Sequence, residues 1–220
     1  MKLALYTTIY PGVEAYFQDW KNTVLSQTDK GFDLWVGVDG FEKSDAEALL
    51  AGLPNYQLVF NDVSHSKAAI RRKSLKKIAA AYDGVVLVDS DDRLLPTRIS
   101  SAREYLKQYD VVGCPMALVN ESGVEMGQTF GLKRRFSADQ DILYANRFGL
   151  SNTAYRCDLL DRCLSMPDEA ELFDWYLATV AWLHDAKIIF DHDIQMQYRQ
   201  YDNNTTQVLG PFSSENILSS

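Results

Sequence analysis

Four apolar residues in a row, Val85-Val86-Leu87-Val88, followed at once by Asp89-Ser90-Asp91-Asp92, constrain the fold more than any other stretch. A short run without polar alternation suits a central parallel strand covered on both faces. Its surroundings fit that reading. Residues 3–8, 32–38 and 56–60 read as further strands. Between them, Val13, Tyr16, Phe17, Trp20 and Val24 recur at helical spacing, and residues 44–51 and 67–82 read as helices. Pro96 sits well in the first turn of another helix, running toward Gln108. Strands alternating with helices predict right-handed βαβ units and an α/β fold with a Rossmann-like, mostly parallel central sheet flanked by helices.

The second half changes character. Residues 110–119 and 125–131 read as two strands around a turn at Asn120-Glu121-Ser122-Gly123. A helix-rich stretch follows, including residues 158–164 and 174–186, with late strands at 187–191 and 194–199. No repeat or linker-like stretch divides the chain, so residues 1–205 form one domain, and the polar residues 206–220 are expected to be a loose tail.

Composition narrows the function classes. The 220 residues carry 22 Lys and Arg against 30 Asp and Glu, a formal charge of −8. So acidic a body lacks the footprint that binding a polyphosphate backbone requires, which argues against nucleic acid as the partner. The three cysteines, Cys114, Cys157 and Cys163, form no CxxC pair and read as small buried apolar residues in a reducing compartment. Residues 1–8 resemble a strand more than a leader, and no apolar run approaches the roughly 20 residues that span a bilayer. A cytoplasmic location without a transmembrane segment is the expectation.

Ligands of open α/β sheets bind just beyond the carboxyl ends of the strands. Asp89, Asp91 and Asp92 fall there, and three crowded carboxylates repel one another unless something neutralises them. Oxygen-only donors at this density favour a hard divalent ion, Mg²⁺ or Mn²⁺. The alternative is a solvated turn in which Asp92 or a neighbour caps the next helix. Two further strand ends share that edge. Thr7-Thr8-Ile9-Tyr10 closes the first strand, and Val36-Gly37-Val38-Asp39-Gly40 closes the second. Tyr10 offers a face on which a base can stack, and Asp39 can accept from a base N–H.

With these pieces in order, the chain resembles the family 2 glycosyltransferases. The resemblance is carried by Thr8-Ile9-Tyr10, Leu25-Ser26-Gln27-Thr28, Val36-Gly37-Val38-Asp39-Gly40, the basic helix around Arg71-Arg72-Lys73, and Asp89-Ser90-Asp91-Asp92 as the DXD-type motif. Phe173-Asp174-Trp175 and the segment from Tyr198 to Asn204 are similar to the rhamnosyltransferase-like branch. The resemblance implies a GT-A fold, with residues 1–110 as the nucleotide-binding half and 111–205 as the acceptor half. It implies that Thr8, Tyr10 and Asp39 hold the nucleoside, that Asp89 lies by the ribose or behind the metal, and that Asp91 ligates Mn²⁺ or Mg²⁺. Arg71 or Arg72 would face the nucleotide, and Asp174 matches the family's general base. Two positions depart from the pattern: Phe173 stands where the family often has Glu, and Tyr201 where it often has His.

Such an enzyme moves a sugar from a nucleoside diphosphate, of the UDP or dTDP type, to a saccharide or lipid-linked acceptor in polysaccharide biosynthesis. The lipid-linked class brings with it peripheral contact with a membrane. Trp175 is a candidate to stack on an acceptor sugar and Asn152 to hydrogen-bond one; a core aromatic and a turn amide are the plain alternatives. Lys133-Arg134-Arg135 reads as a solvated basic face, with contact to a diphosphate or a lipid-linked acceptor as the alternative. Two rivals remain: a nucleotide-sugar-binding module without turnover, and an aspartate-nucleophile phosphatase using Asp89 and Asp91.

Overall fold

The computed structural model describes residues 1–61, 66–131, 142–167 and 172–201. Lys133-Arg134-Arg135, Asp202-Asn203-Asn204 and the tail 206–220 lie outside the described residues. A seven-stranded sheet forms the centre. Its strands are β1 (Leu3–Ile9), β2 (Phe32–Val38), β3 (Tyr56–Phe60), β4 (Gly84–Leu87), β6 (Val111–Gly113), β9 (Thr153–Arg156) and β10 (Ile188–Phe190), in the order β10-β6-β9-β4-β1-β2-β3. Every pairing is parallel except those of β9, which runs antiparallel between β4 and β6. A second sheet of β5 (Arg93–Leu94), β11 (Met196–Arg199), β7 (Met116–Val119) and β8 (Glu125–Phe130) has the order β5-β11-β7-β8.

Both faces of the central sheet are covered, and β1 and β4 are accordingly buried throughout. On one face Ala4, Tyr6, Val85 and Leu87 pack against α3 (Lys67–Ala79), α5 (Cys157–Cys163) and α6 (Phe173–Leu183). On the other, Leu3, Leu5, Ile9, Val86 and Val88 meet α1 (Glu14–Leu25), α2 (Lys43–Leu50) and α4 (Arg98–Tyr105). In α1 the buried residues Phe17, Trp20 and Val24 fall three and four apart, the spacing of one helical face. The Ser66 side chain caps α3 by accepting the Ala69 N–H at 3.3 Å. All three cysteines are buried. Among the described residues no helix is long and apolar enough to cross a membrane.

Three expectations are corrected. The strand expected over 110–119 is two strands in different sheets, because the chain leaves β6 through Cys114-Pro115 before entering β7. Proline has no N–H for a ladder and so marks the break. β9 falls in the stretch read as helix-rich; its four residues are too few for a periodic signal, and three of them are buried. The helix expected from Pro96 starts at Arg98, with Pro96 in the preceding turn, where its carbonyl accepts the Thr28 N–H at 2.9 Å.

Close packing beneath the β2 end explains Gly37. A Cβ there would lie 2.5 Å from the Tyr6 hydroxyl and 3.1 Å from Ile70 Cγ1. Gly37→Ala should therefore destabilise the chain by about 1–3 kcal/mol. A thermal melt should show the midpoint lowered by several degrees, and an unchanged midpoint would contradict the tight fit.

Candidate active site

The carboxyl ends of β1, β2 and β4 are tied into one edge. The Asp39 N–H donates to the Ile9 carbonyl at 3.0 Å, joining the ends of β1 and β2. Gly40 turns the chain away with φ +77, under Pro11, whose ring would lie 3.1 Å from an added Cβ. On the other side of β1, the Val88 N–H reaches the Tyr6 carbonyl at 3.1 Å and the buried Ser90 hydroxyl donates to the Thr8 carbonyl at 2.6 Å. Ser90 thus anchors the turn that presents Asp89, Asp91 and Asp92. Thr8 supports this edge from within. It is buried, and its hydroxyl is hydrogen-bonded to that of Tyr6 at 3.0 Å. Tyr10 is half-buried, with the Lys67 ammonium 5.2 Å from its ring centroid.

Each carboxylate of the cluster has a different partner from the chain. Asp89 takes the Arg71 guanidinium at 3.2 Å. Asp91 Oδ2 accepts the Tyr201 hydroxyl at 2.7 Å. Asp92 is buried and accepts from the Ser151 hydroxyl and, at 2.9 Å, from the Arg199 backbone N–H. Ser151 also accepts the Asp89 N–H at 2.9 Å, so one hydroxyl braces two members of the motif. Burial pushes the Asp89 carboxyl up to about 6 against the pull of Arg71, with the Asp91 and Asp174 charges adding to the rise. Burial raises Asp92 well above the carboxylate range, again with its two acidic neighbours contributing. Tyr10 is raised by burial and by Asp91.

Asp174, in the first turn of α6, belongs to this neighbourhood through its field on Asp89. Its Oδ1 accepts the Trp175 N–H at 2.8 Å, while Oδ2 faces Gly149, 3.6 Å from where a Cβ would stand. Arg71 and Arg72 diverge. Arg71 meets Asp89 and lies over the Phe173 ring at 5.8 Å, whereas Arg72 donates to the Met166 carbonyl at 2.7 Å. Phe173, one of the departures from the family pattern, is thus a floor for the arginine that faces the cluster. Trp175 is half-buried and its indole N–H is anchored on the Ile142 carbonyl at 2.6 Å. Asn152 has no exposed surface, and its amide nitrogen donates to the Cys114 and Arg147 carbonyls at 2.8 and 3.0 Å. Its amide nitrogen thus ties the start of β9 to the link between β6 and β7.

Several residues of the site escaped the sequence reading. Arg199 is 1% exposed, and its guanidinium donates to the Asp91 carbonyl at 2.9 Å, to the Glu121 carbonyl and to Asp19 at 3.0 Å. Burial works against the Asp19 charge, yet Arg93 and Arg199 together hold its carboxyl below the usual range. Tyr16 stacks on Tyr201 with ring centroids 5.2 Å apart. Arg199 and Tyr201 lie in a segment used only for its family likeness, and Ser151 adjoins the Asn152 candidate; their contacts join positions 59 to 180 residues apart.

Among the described residues no three Asp, Glu, His or Cys side chains converge to cage a cation on their own. Asp89 is paired with Arg71 and Asp92 is buried on two donors, whereas Asp91 is engaged through Oδ2 alone among the described residues, which makes it the carboxylate most open to an ion. One carboxylate fits a divalent ion only where a ligand's own oxygens complete the coordination, the usual habit of Mg²⁺ with substrate phosphates.

No family model and no curated protein sequence matches the chain. Solved structures do. The chain superposes on residues 1–349 of TarS from S. aureus with a TM-score of 0.70 at 20% identity, over 90% of this chain and 60% of that one. The UDP-GlcNAc complex of the same TarS segment gives 0.70 at 19% identity, over 93% and 60%. The mannosyltransferase PcManGT from Pyrobaculum calidifontis, in complex with GDP-Man and Mn²⁺, gives 0.67 at 15% identity, over 92% and 58%. The chain thus has the GT-A fold and spans about three fifths of these longer chains.

The raised Asp89 carboxyl gives a pH signature. Folding favours its protonated form, so its contribution is fully present below about pH 4 and is lost as pH rises through about 6. In chelator-treated buffer, Asp89→Asn should gain stability relative to the wild type as pH climbs from 4 to 7. Parallel melting curves across that range would contradict this assignment.

Proposed function

We propose that the chain is an inverting glycosyltransferase that moves a sugar from a nucleoside diphosphate to a hydroxyl of a saccharide or lipid-linked acceptor. The observation that carries this reading is the gathering of Tyr10, Asp39, Asp89 and Asp91 along one sheet edge of a GT-A fold, with Asp174 acting on Asp89 from α6. TarS and PcManGT, the structural neighbours crystallised with UDP-GlcNAc and GDP-Man, support the donor class.

In this reading Tyr10 and Asp39 receive the nucleoside, with Thr8 holding the strand end beneath them. Arg71 turns its guanidinium toward the diphosphate, and Asp89 keeps that guanidinium in place while facing the ribose. Asp91 would hold Mn²⁺ or Mg²⁺ jointly with the diphosphate oxygens. When bound, the cation supplies Lewis-acid stabilisation of the charge that grows on the leaving group. Asp174 takes the proton from the attacking hydroxyl through Oδ2, the oxygen not engaged by the Trp175 N–H; Gly149 beside it carries no side chain to block the approach. A base facing the side opposite the leaving diphosphate gives inversion. Trp175 lines the acceptor side next to that base. A UDP- or dTDP-linked donor, and placement in the rhamnosyltransferase-like branch, are the finer form of the same proposal. The Tyr201–Asp91 hydrogen bond favours a second reading, a nucleotide-sugar-binding module without turnover, because it closes the carboxylate that catalysis needs.

A thermal-shift panel of UDP, dTDP and GDP with and without Mn²⁺ tests the donor site, since a ligand of the native state raises its melting temperature. At least one nucleotide should stabilise the chain, more so with Mn²⁺, and Asp91→Ala should remove the Mn²⁺ increment. Asp174→Asn should bind that nucleotide as the wild type does while losing transfer by about 10²–10⁴-fold. Full transfer by Asp174→Asn would remove the base from Asp174, and binding with no transfer by any acceptor would favour the binding module.

A further inference from the structure

Tyr201 is the polar residue of the cleft that the proposed chemistry leaves unused. Its hydroxyl donates to Asp91 Oδ2 at 2.7 Å and is also hydrogen-bonded to Tyr10. The ring is held from the side by Tyr16, whose own hydroxyl donates to Glu121 at 3.0 Å. A hydroxyl bonded to both Tyr10 and Asp91 lies between the proposed nucleoside wall and the proposed cation ligand. A diphosphate and its ion have to occupy that space. Arg199 supports Asp91 differently, by donating to its backbone carbonyl and leaving the carboxylate to Tyr201.

The geometry points to Tyr201 as the residue that sets the cation affinity of the cleft: its hydroxyl and a divalent ion compete for Oδ2 of Asp91, and Tyr201 leaves that oxygen when a nucleoside diphosphate and its cation enter. The inference rests on the cleft being the nucleotide site proposed above. It adds a determinant of ion loading at a position where an ordinary supporting hydrogen bond would have the opposite effect. A supporting partner strengthens the metal site, so its loss weakens binding. A competitor holds the oxygen in the ion's absence, so its loss tightens binding.

Tyr201→Phe separates the two, because it keeps the ring and its stack on Tyr16 while deleting the hydroxyl. Mn²⁺ is titrated into the full chain with and without UDP, free Mn²⁺ is read by electron paramagnetic resonance, and UDP affinity is read by calorimetry. Tyr201→Phe should bind Mn²⁺ about tenfold more tightly than the wild type, the scale of one hydrogen bond to a charged group, and adding Asp91→Asn should abolish the gain. Equal or weaker Mn²⁺ binding by Tyr201→Phe, or no binding by either protein, would overturn the competition. If the variant does not fold, a crystal structure of the wild type with UDP and Mn²⁺ decides. The Tyr201 hydroxyl beyond hydrogen-bond distance of Asp91, with Mn²⁺ in its place, supports the inference; the hydroxyl still on Oδ2 beside bound Mn²⁺ overturns it. UDP binding with unchanged Mn²⁺ affinity defeats the competition alone, whereas no UDP binding by the wild type defeats this donor assignment while the Mn²⁺ series still decides the competition.

Discussion

Four carboxylates, Asp89, Asp91, Asp92 and Asp174, act on one another at the end of the most apolar strand of the chain, and much of the surrounding architecture answers that crowding. Like charges this close raise one another's energy, and burial adds a desolvation cost that only good hydrogen bonding offsets. The partners come from everywhere except the motif itself. Arg71 arrives on α3, Ser151 on the turn before β9, the Arg199 N–H on β11 and Tyr201 just beyond it. The fully buried Asp92 has two of these donors, while Asp89 and Asp91, the more exposed pair, have one principal side-chain partner each.

That division explains the second sheet. Its strands are short, and β8 is exposed along most of its length, so its share of the core comes from β5, β7 and β11 through Leu94, Met116 and Met196. What it does is deliver β11 to the motif. β11 pairs with β5 immediately after the acidic turn and with β7, and Arg199 at its end spans Asp91, Asp92, Asp19 and Glu121. The break at Cys114-Pro115 lets one stretch of chain serve both sheets, with Asn152 pinned across the junction. The Asn152 amide nitrogen thus fastens the layer that carries the strand ends to the link that leads into the layer bracing them.

The legible parts of the chain were those whose signal is local. β1, β2 and β4 are short, largely apolar runs with Tyr10, Asp39 and Asp89–Asp92 placed directly after them, so these residues could be assigned to one edge from the order of elements alone. Asp174 was legible as a carboxylate opening an apolar helix, but its place opposite Asp89 came only with the family likeness. Ser151 and Arg199 were not legible, because what defines them is a contact across 59 or 107 positions and nothing in their own neighbourhood marks it. β9 failed for a different reason: four residues sandwiched between two strands need no alternation to be stable. The split of β6 from β7 was readable in principle, since Pro115 sits inside the apolar run and cannot join a central ladder.

The charge along this sheet edge bears on what the proposed donor must bring. Arg71 balances Asp89, and Arg199, though it backs the motif, shares its charge with Asp19 and gives Asp92 only a backbone N–H. Tyr201 can stabilise Asp91 by hydrogen bonding but cannot cancel its charge. Asp174 adds another negative group. A diphosphate moving toward such an edge meets net repulsion at short range, where interactions are least screened by salt. The basic face of α3, with Lys67 over Tyr10 and Arg71 at Asp89, answers part of it. The remainder is what a divalent ion travelling with the donor would supply. Under the proposed function, an acidic edge of this kind would discriminate against the bare nucleotide and in favour of its metal complex, and would do so with the same carboxylate that accepts the Tyr201 hydroxyl.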